Sequence, residues 1–252
     1  ADINGAPDGI ITNLLGLETG KGVTLKASAS GTLENATGQA SLMIGDAETA
    51  TARLKIHERR LTADADLDAT HLPQLGGRLV SLLGEKASLR LESTTGRRDA
   101  PFGVEAALRA GNISIRGDVN TKSWKLNDPA ALDVHLTDVS PLLNEPGELN
   151  FTGTAAQDRD DWLLQGKAGL SVSGEDAIPF RKAEGPVKIT LSKETVTFSG
   201  DLKTIGLLAR TDAVADLIGE TSTLRLAGDY NRAGQVLTLS SADATLAAGT
   251  AS

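Results

Sequence analysis

The amino-acid sequence predicts an all-β protein built on a mainly antiparallel sheet, with short helices at the junctions between repeated units. Three observations carry that prediction. Apolar and polar residues alternate with period two along most of the chain, as in strands with one buried and one wet face. One motif recurs four times: an apolar pair, a Gly or Asn, a Glu close by, then a strand of the type Leu-x-Leu. Twenty-seven Gly against eight Pro supply many turns without blocking strand pairing.

The motif appears as Leu14-Leu15-Gly16-Leu17-Glu18 before Val23-Thr24-Leu25, and as Leu82-Leu83-Gly84-Glu85 before Leu89-Arg90-Leu91. It returns as Leu142-Leu143-Asn144-Glu145 before Leu149-Asn150-Phe151, and as Leu217-Ile218-Gly219-Glu220 before Leu224-Arg225-Leu226. A recurring helix-turn-strand unit implies an array rather than a single catalytic globule. The 252 residues therefore read as one continuous array of about four degenerate repeats. Alternation still runs through Ala242, Ala244, Leu246 and Ala248, so the chain reads as a segment of a longer protein.

The strands follow in order. Val23, Leu25, Ala27 and Ala29 alternate with Thr24, Lys26 and Ser28, and Ala52, Leu54 and Ile56 with Arg53, Lys55 and His57. After a turn at Glu58-Arg59-Arg60, Leu61, Ala63, Ala65 and Leu67 oppose Thr62, Asp64, Asp66 and Asp68. Leu89 and Leu91 come next, then Val104, Ala106 and Leu108, then Ile113, Ile115 and Val119. Leu132, Val134 and Leu136 alternate with Asp133, His135 and Thr137, and Leu149 and Phe151 follow. Val187, Ile189 and Leu191 are expected to pair with Val196, Phe198 and Leu202 across Ser192-Lys193-Glu194. Leu224 with Leu226, and Leu237 with Leu239, complete the series. Asp158-Arg159-Asp160-Asp161 and Arg97-Arg98-Asp99 read as charged hairpin tips.

Three short helices are expected at the junctions. Ile10, Ile11, Leu14 and Leu15 form one stripe, with Pro7 in the first turn and Gly16 at the end. Leu72, Leu75, Leu79, Leu82 and Leu83 form a second, closed by Gly84. Thr211 or Asp212 caps a third over Val214, Leu217 and Ile218, closed by Gly219. Ser140-Pro141-Leu142-Leu143 has a cap and a proline but little helix.

Composition narrows the function. Hydrophobic residues make 40% of the chain but aromatics only 3%, so Leu, Val, Ile and Ala fill the apolar surface. A net charge of −8 with no basic run argues against a nucleic-acid partner. The absence of cysteine rules out disulfides, thiolate nucleophiles and zinc ribbons, and fits an envelope or secreted bacterial protein. No stretch approaches the length of about 18 apolar residues that a spanning helix needs.

Few residues suggest catalysis. His57, His71 and His135 lie apart and read as solvated. Asp64, Asp66 and Asp68 resemble the opening of a calcium loop, but Ala69 stands at the glycine position and Leu75 at the closing glutamate. Asp158, Asp160 and Asp161, beside Trp162, read as a turn rather than an acid/base pair. Asn35-Ala36-Thr37, Asn112-Ile113-Ser114 and Asn150-Phe151-Thr152 match the glycosylation triplet, which matters only in a eukaryotic secretory source. No nucleophile elbow, phosphate loop, dinucleotide fingerprint or metalloprotease helix is present, so neither an enzyme nor a cofactor is expected.

The remaining signal is the aliphatic face. It forms either a closed sandwich or barrel core, or an open trough that holds something greasy. Its continuity through four units and its poverty in aromatics favour the trough.

The chain resembles an internal segment of the TamB-like proteins, within the wider AsmA-like group of bacterial envelope proteins. The residues that carry this are the Leu-Leu-Gly turn before Leu-x-Leu strands and hairpins such as Ser30-Gly31-Thr32-Leu33-Glu34-Asn35-Ala36-Thr37-Gly38. Asp160-Asp161-Trp162 echoes a family hairpin, with Gly166 displaced, whereas Glu34-Asn35-Ala36 lacks its Trp. The resemblance implies a long sheet curled into a U-shaped, taco-like groove with an apolar lining. It also implies a periplasmic protein anchored in the inner membrane, which carries phospholipid toward the outer membrane or supports outer-membrane protein assembly beside a barrel partner. The anchor and the barrel-binding region lie outside this sequence.

Three functions are weighed. The first is a lipid-conducting groove whose partners are phospholipid acyl chains. The second is a structural or adhesive β-array, like a secreted passenger, with a closed core. The third is a hydrolase on a β scaffold, which needs convergent His, Asp or Glu that the sequence does not offer.

Overall fold

The computed structural model describes residues 2–5, 22–72, 76–159, 161–173, 180–206, 221–232, 234, 236–246 and 249–251. The chain divides into two units, Ala1–Asn127 and Asp128–Ser252. The all-β class holds: 71% of the described residues are strand, and the strands pair antiparallel.

The first unit contains β1 (Asp2–Gly5), β2 (Val23–Gly31), β3 (Ala36–Ile44), β4 (Ala47–His57), β5 (Arg60–Leu67), β6 (Ala87–Thr94), β7 (Asp99–Leu108), β8 (Gly111–Asn120) and the short β9 (Lys125–Leu126). From β2 to β9 each strand pairs with the next, and β1 pairs with β2. The second unit repeats the scheme with β10 (Ala130–Leu136), β11 (Gly147–Asp158), β12 (Asp161–Val172), β13 (Lys182–Leu191), β14 (Thr195–Ile205), β15 (Thr221–Asn231), β16 (Val236–Leu246) and β17 (Gly249–Ala251). In neither unit do the first and last strands of the meander pair with each other among the described residues.

Turn chemistry sets the register. The two residues between β4 and β5, Glu58 and Arg59, both have positive φ, 49° and 67°. Such turns twist in the same sense as the strands they join. The cost of two side chains in that region is offset by neighbours: Arg59 N–H donates to Glu34 O, Glu58 N–H to Asn35 Oδ1, and the Arg59 guanidinium sits 2.6 Å from Glu34.

The recurring motif has one backbone explanation in both described copies. The 3-10 turn Ala69–His71 and the helix α1 (Gly76–Leu83) precede β6, and the single-turn helix α2 (Ser140–Leu143) precedes β11. Each α-helix ends on a left-handed residue, Gly84 at φ 76° and Asn144 at φ 59°. Gly and Asn are the two residues that reach this region at least cost, which is why the motif alternates between them. The last carbonyls of α1 are satisfied by the β7–β8 turn, where Arg109 and Ala110 donate to Leu83 O and Leu82 O.

Two local expectations are corrected. The cap before α2 is not Ser140: Val139 holds the cap position, and the Ser140 N–H donates to the Asp138 carboxylate at 2.9 Å. Asp68 does not continue the wet face of β5. It lies past the strand end and caps the 3-10 turn, accepting from Thr70 N–H at 3.0 Å and the Thr70 hydroxyl at 2.5 Å. The helices expected over Ile10–Leu15 and Val214–Ile218 lie outside the described residues.

Candidate binding surface on the aliphatic sheet face

The ladder registers turn a linear pattern into two faces, because directly paired residues point to the same side of a sheet. In the first unit, Leu25 pairs with Leu42, Leu54 with Ala63, Ile56 with Leu61, Ala50 with Leu67, and Leu89 with Ala65. Leu91 pairs with Val104, Val104 with Ile115, Ile113 with Ala106, and Leu108 with Gly111. In the second unit, Leu132 pairs with Gly153, Val134 with Phe151 and Leu136 with Leu149. Ile189 pairs with Leu164 and Phe198, Leu191 with Val196, and Val187 with Gly166 and Gly200. Leu224 and Leu226 pair with Leu202 and Gly200, and Leu237 and Leu239 with Tyr230 and Gly228. Within each unit every candidate lining residue therefore lies on one face.

No Asp, Glu, Lys, Arg or His occurs on that face among the residues so paired. The ionisable side chains of the strands stand on the other. There they form cross-strand ladders: Asp64, Arg90 and Glu105 pair in one row across β5, β6 and β7. Arg90 reaches Asp64 at 3.5 Å and Glu92 at 3.0 Å, and Arg116 bridges to Glu105. In the second unit Arg225 reaches Asp201 at 3.0 Å and Lys182 reaches Glu184 at 3.0 Å. The bond from Lys182, with Lys167 beyond it, holds the Glu184 carboxyl below its usual range. These exposed pairs add little stability individually, but their order favours the observed register over a slip.

Exposure decides what the aliphatic face can do. Of the twenty-four candidates, only Leu136 and Phe151 are buried, at 6% and 8% exposure. Leu54, Leu89, Leu237 and Leu239 are exposed, Leu89 at 45% and Leu237 at 59%, and the other eighteen lie in between. The inner face of a sealed sandwich buries its central side chains almost completely. The fully buried apolar residues concentrate instead near strand ends and junctions. Val23 and Ile44 pack with Leu42 and Leu72, and Ala69, Ala110 and Val139 lie in junctions.

The lining is also stepped. Gly153, Gly166, Gly185, Gly200 and Gly228 take apolar-phase positions in the second unit, so no side chain rises there. Sequence reading missed them, although each stands where the alternation calls for an aliphatic residue. It also ended the hairpin tip at Asp161 and gave its neighbour Trp162 no place in a strand. Trp162 lies within β12, opposite Gln157 and Leu191, on the aliphatic face.

The sequence's chemical candidates do not assemble. His57 pairs with Arg60 on the polar face, His71 Nδ1 sits 2.9 Å from Asp68, and His135 bonds Asn150. Asp158 and Asp161 face each other at the start of the β11–β12 hairpin, and Asp160 lies outside the described residues. No group of three or more His, Asp or Glu placed to hold a metal occurs among the described residues. Comparison of the chain with protein-family models, with curated proteins and with solved structures gives no match.

Proposed function

We propose that the aliphatic face of each unit binds phospholipid acyl chains, and that the chain is a groove-forming segment of a TamB-like, periplasm-spanning protein. In this reading the groove carries phospholipid between inner and outer membranes or supports outer-membrane protein assembly, with its anchor and barrel contact in regions outside this sequence. One observation carries the proposal: in each unit a face without ionisable groups among the described residues, running strand after strand, whose side chains stay largely half-exposed.

The chemistry is burial alone. Each acyl methylene removed from water contributes about 0.8 kcal/mol, so two chains supply ample driving force. Leu, Val, Ile, Ala and Gly offer no polar anchor, so one chain position is worth nearly the same as the next and a lipid can slide. The head group stays in water, and no cofactor takes part.

Lipid extraction and native mass spectrometry of the purified chain test the proposal. Copurifying phospholipid, released by detergent, is the expected result. The second reading, a structural array with a closed core, is favoured locally by the burial of Leu136 and Phe151, and it predicts a lipid-free protein.

A further inference from the structure

At one end of the first unit the turns are stitched side by side. Thr95 Oγ1 donates to Leu33 O, and Thr95 N–H to Arg59 O. Next to them, Thr121 Oγ1 donates to Arg97 O at 2.9 Å and Thr121 N–H to Arg98 O at 2.8 Å, which locks the β6–β7 turn against the β8–β9 turn. These last two turns and the first residue of β9 carry four exposed cations, Arg97, Arg98, Lys122 and Lys125, none of which has an ion-pair partner among the described residues. Asp99 lies with them and is engaged by Asn120 and Asn127, and Asp118 follows on the same face of β8, diagonal to Lys125. In a chain of net charge −8, four unpaired cations at two adjoining turns are a local reversal of sign.

Between Lys122 and Lys125 stands Trp124, 76% exposed. Its backbone has φ 55°, a costly conformation for a bulky residue. The turn enforces it: Asn120 Oδ1 accepts from Lys122 and Ser123 N–H, and Asn120 O accepts from Trp124 N–H. The indole is thus held out in water on a rigid support.

We propose that this end of the first unit docks on the surface of an anionic phospholipid bilayer, with Trp124 at head-group depth and Arg97, Arg98, Lys122 and Lys125 on the lipid phosphates. An indole with flanking cations is the side-chain set that partitions to such an interface. The inference does not rest on acyl-chain binding at the aliphatic face. Docking depends on head-group charge and falls with salt, whereas burial of acyl chains depends on neither.

The test uses the Trp162→Phe chain, in which Trp124 is the only tryptophan. It is mixed with vesicles of phosphatidylcholine alone, or of phosphatidylcholine with phosphatidylglycerol, with and without brominated acyl chains. The expected result is cosedimentation with the anionic vesicles only, a blue shift of Trp124 emission, quenching by the brominated lipid, and release by high salt. Each basic residue at an anionic surface contributes about fivefold to partitioning, so replacing Arg97, Arg98, Lys122 and Lys125 by Gln should lower it at least roughly a hundredfold. All four are exposed, and an unchanged thermal melt confirms that the variant is folded. Absence of binding, binding that the folded Gln variant retains, or an unquenched Trp124 each overturns the proposal.

Discussion

Gly153 and Gly166 face each other across β11 and β12 so closely that a Cβ on either would lie 2.6 Å from the other's Cα. The same Cβ on Gly166 would meet Thr152 O at 2.3 Å and Phe151 Cζ at 2.9 Å, and one on Gly153 would meet Gln165 O at 2.3 Å. Backbone atoms cannot yield as a side-chain end can, so an alanine must part the strands. Gly166→Ala is therefore expected to cost about 1–3 kcal/mol. Gly169→Ala, three residues along the same strand with nothing within 4 Å of the added atom, should shift stability by no more than about 0.5 kcal/mol. Denaturant midpoints of the two variants check the pair.

Gly84 and Asn144 end equivalent motif helices in the left-handed region, but only Gly84 is also crowded: a Cβ there would lie 2.6 Å from Arg109 Cβ. Gly84→Ala should cost about 1–2 kcal/mol from backbone strain, and more from the contact. Asn144→Gly should be neutral or slightly stabilising, and Asn144→Ala should cost about 1 kcal/mol. Thermal melts of the three variants separate strain from crowding.

Asp68 supplies a pH dependence with a definite sign. The Thr70 hydroxyl above all, joined by the Thr70 N–H and His71, holds its carboxyl below the usual range although burial opposes the shift. A carboxyl depressed by folding contributes stability above its unfolded value, near about pH 4, and loses it as pH falls through the folded value. Asp68→Asn keeps a capping oxygen but removes the titration. The variant should be less stable than the parent at neutral pH, by at most about 1 kcal/mol, and the gap should close in acid. Urea titrations on either side of that window measure it.

A charge on the aliphatic face should act according to local burial. Leu89 is half-exposed and Leu136 is buried. Leu89→Asp keeps its carboxylate hydrated and should leave the chain folded while abolishing most lipid binding. Leu136→Asp buries an unpaired charge and should destabilise by several kcal/mol. Circular dichroism with a lipid-retention assay distinguishes the two outcomes.

Much of the fold was legible because alternation survives in nearly every strand. Leu61, Ala63, Ala65 and Leu67 against Thr62, Asp64 and Asp66 define a face without any knowledge of neighbours, and the pairing at Leu191 with Val196 follows from a short polar turn. Three features escaped for physical reasons. Gly166 and its partners carry no side chain, so their crowding exists only between strands. Asp68 continues the polar phase of β5 in sequence, and only the strand end reveals it as a cap. Trp162 follows a charged cluster that resembles a turn, yet β12 begins at Asp161. For the binding face, the sequence shows which residues lie together, whereas how open they are depends on what packs above them.

The most direct measurement compares the two faces of one strand at a time. Photo-crosslinking residues at Leu54 and Ile189 are set against the same residue at Lys55 and Lys188, one position along on the polar face, in chain incubated with phospholipid. Capture of phospholipid at Leu54 and Ile189 but not at Lys55 or Lys188 is the predicted result. Equal capture on both faces, or none on either, would contradict acyl-chain binding by the aliphatic face.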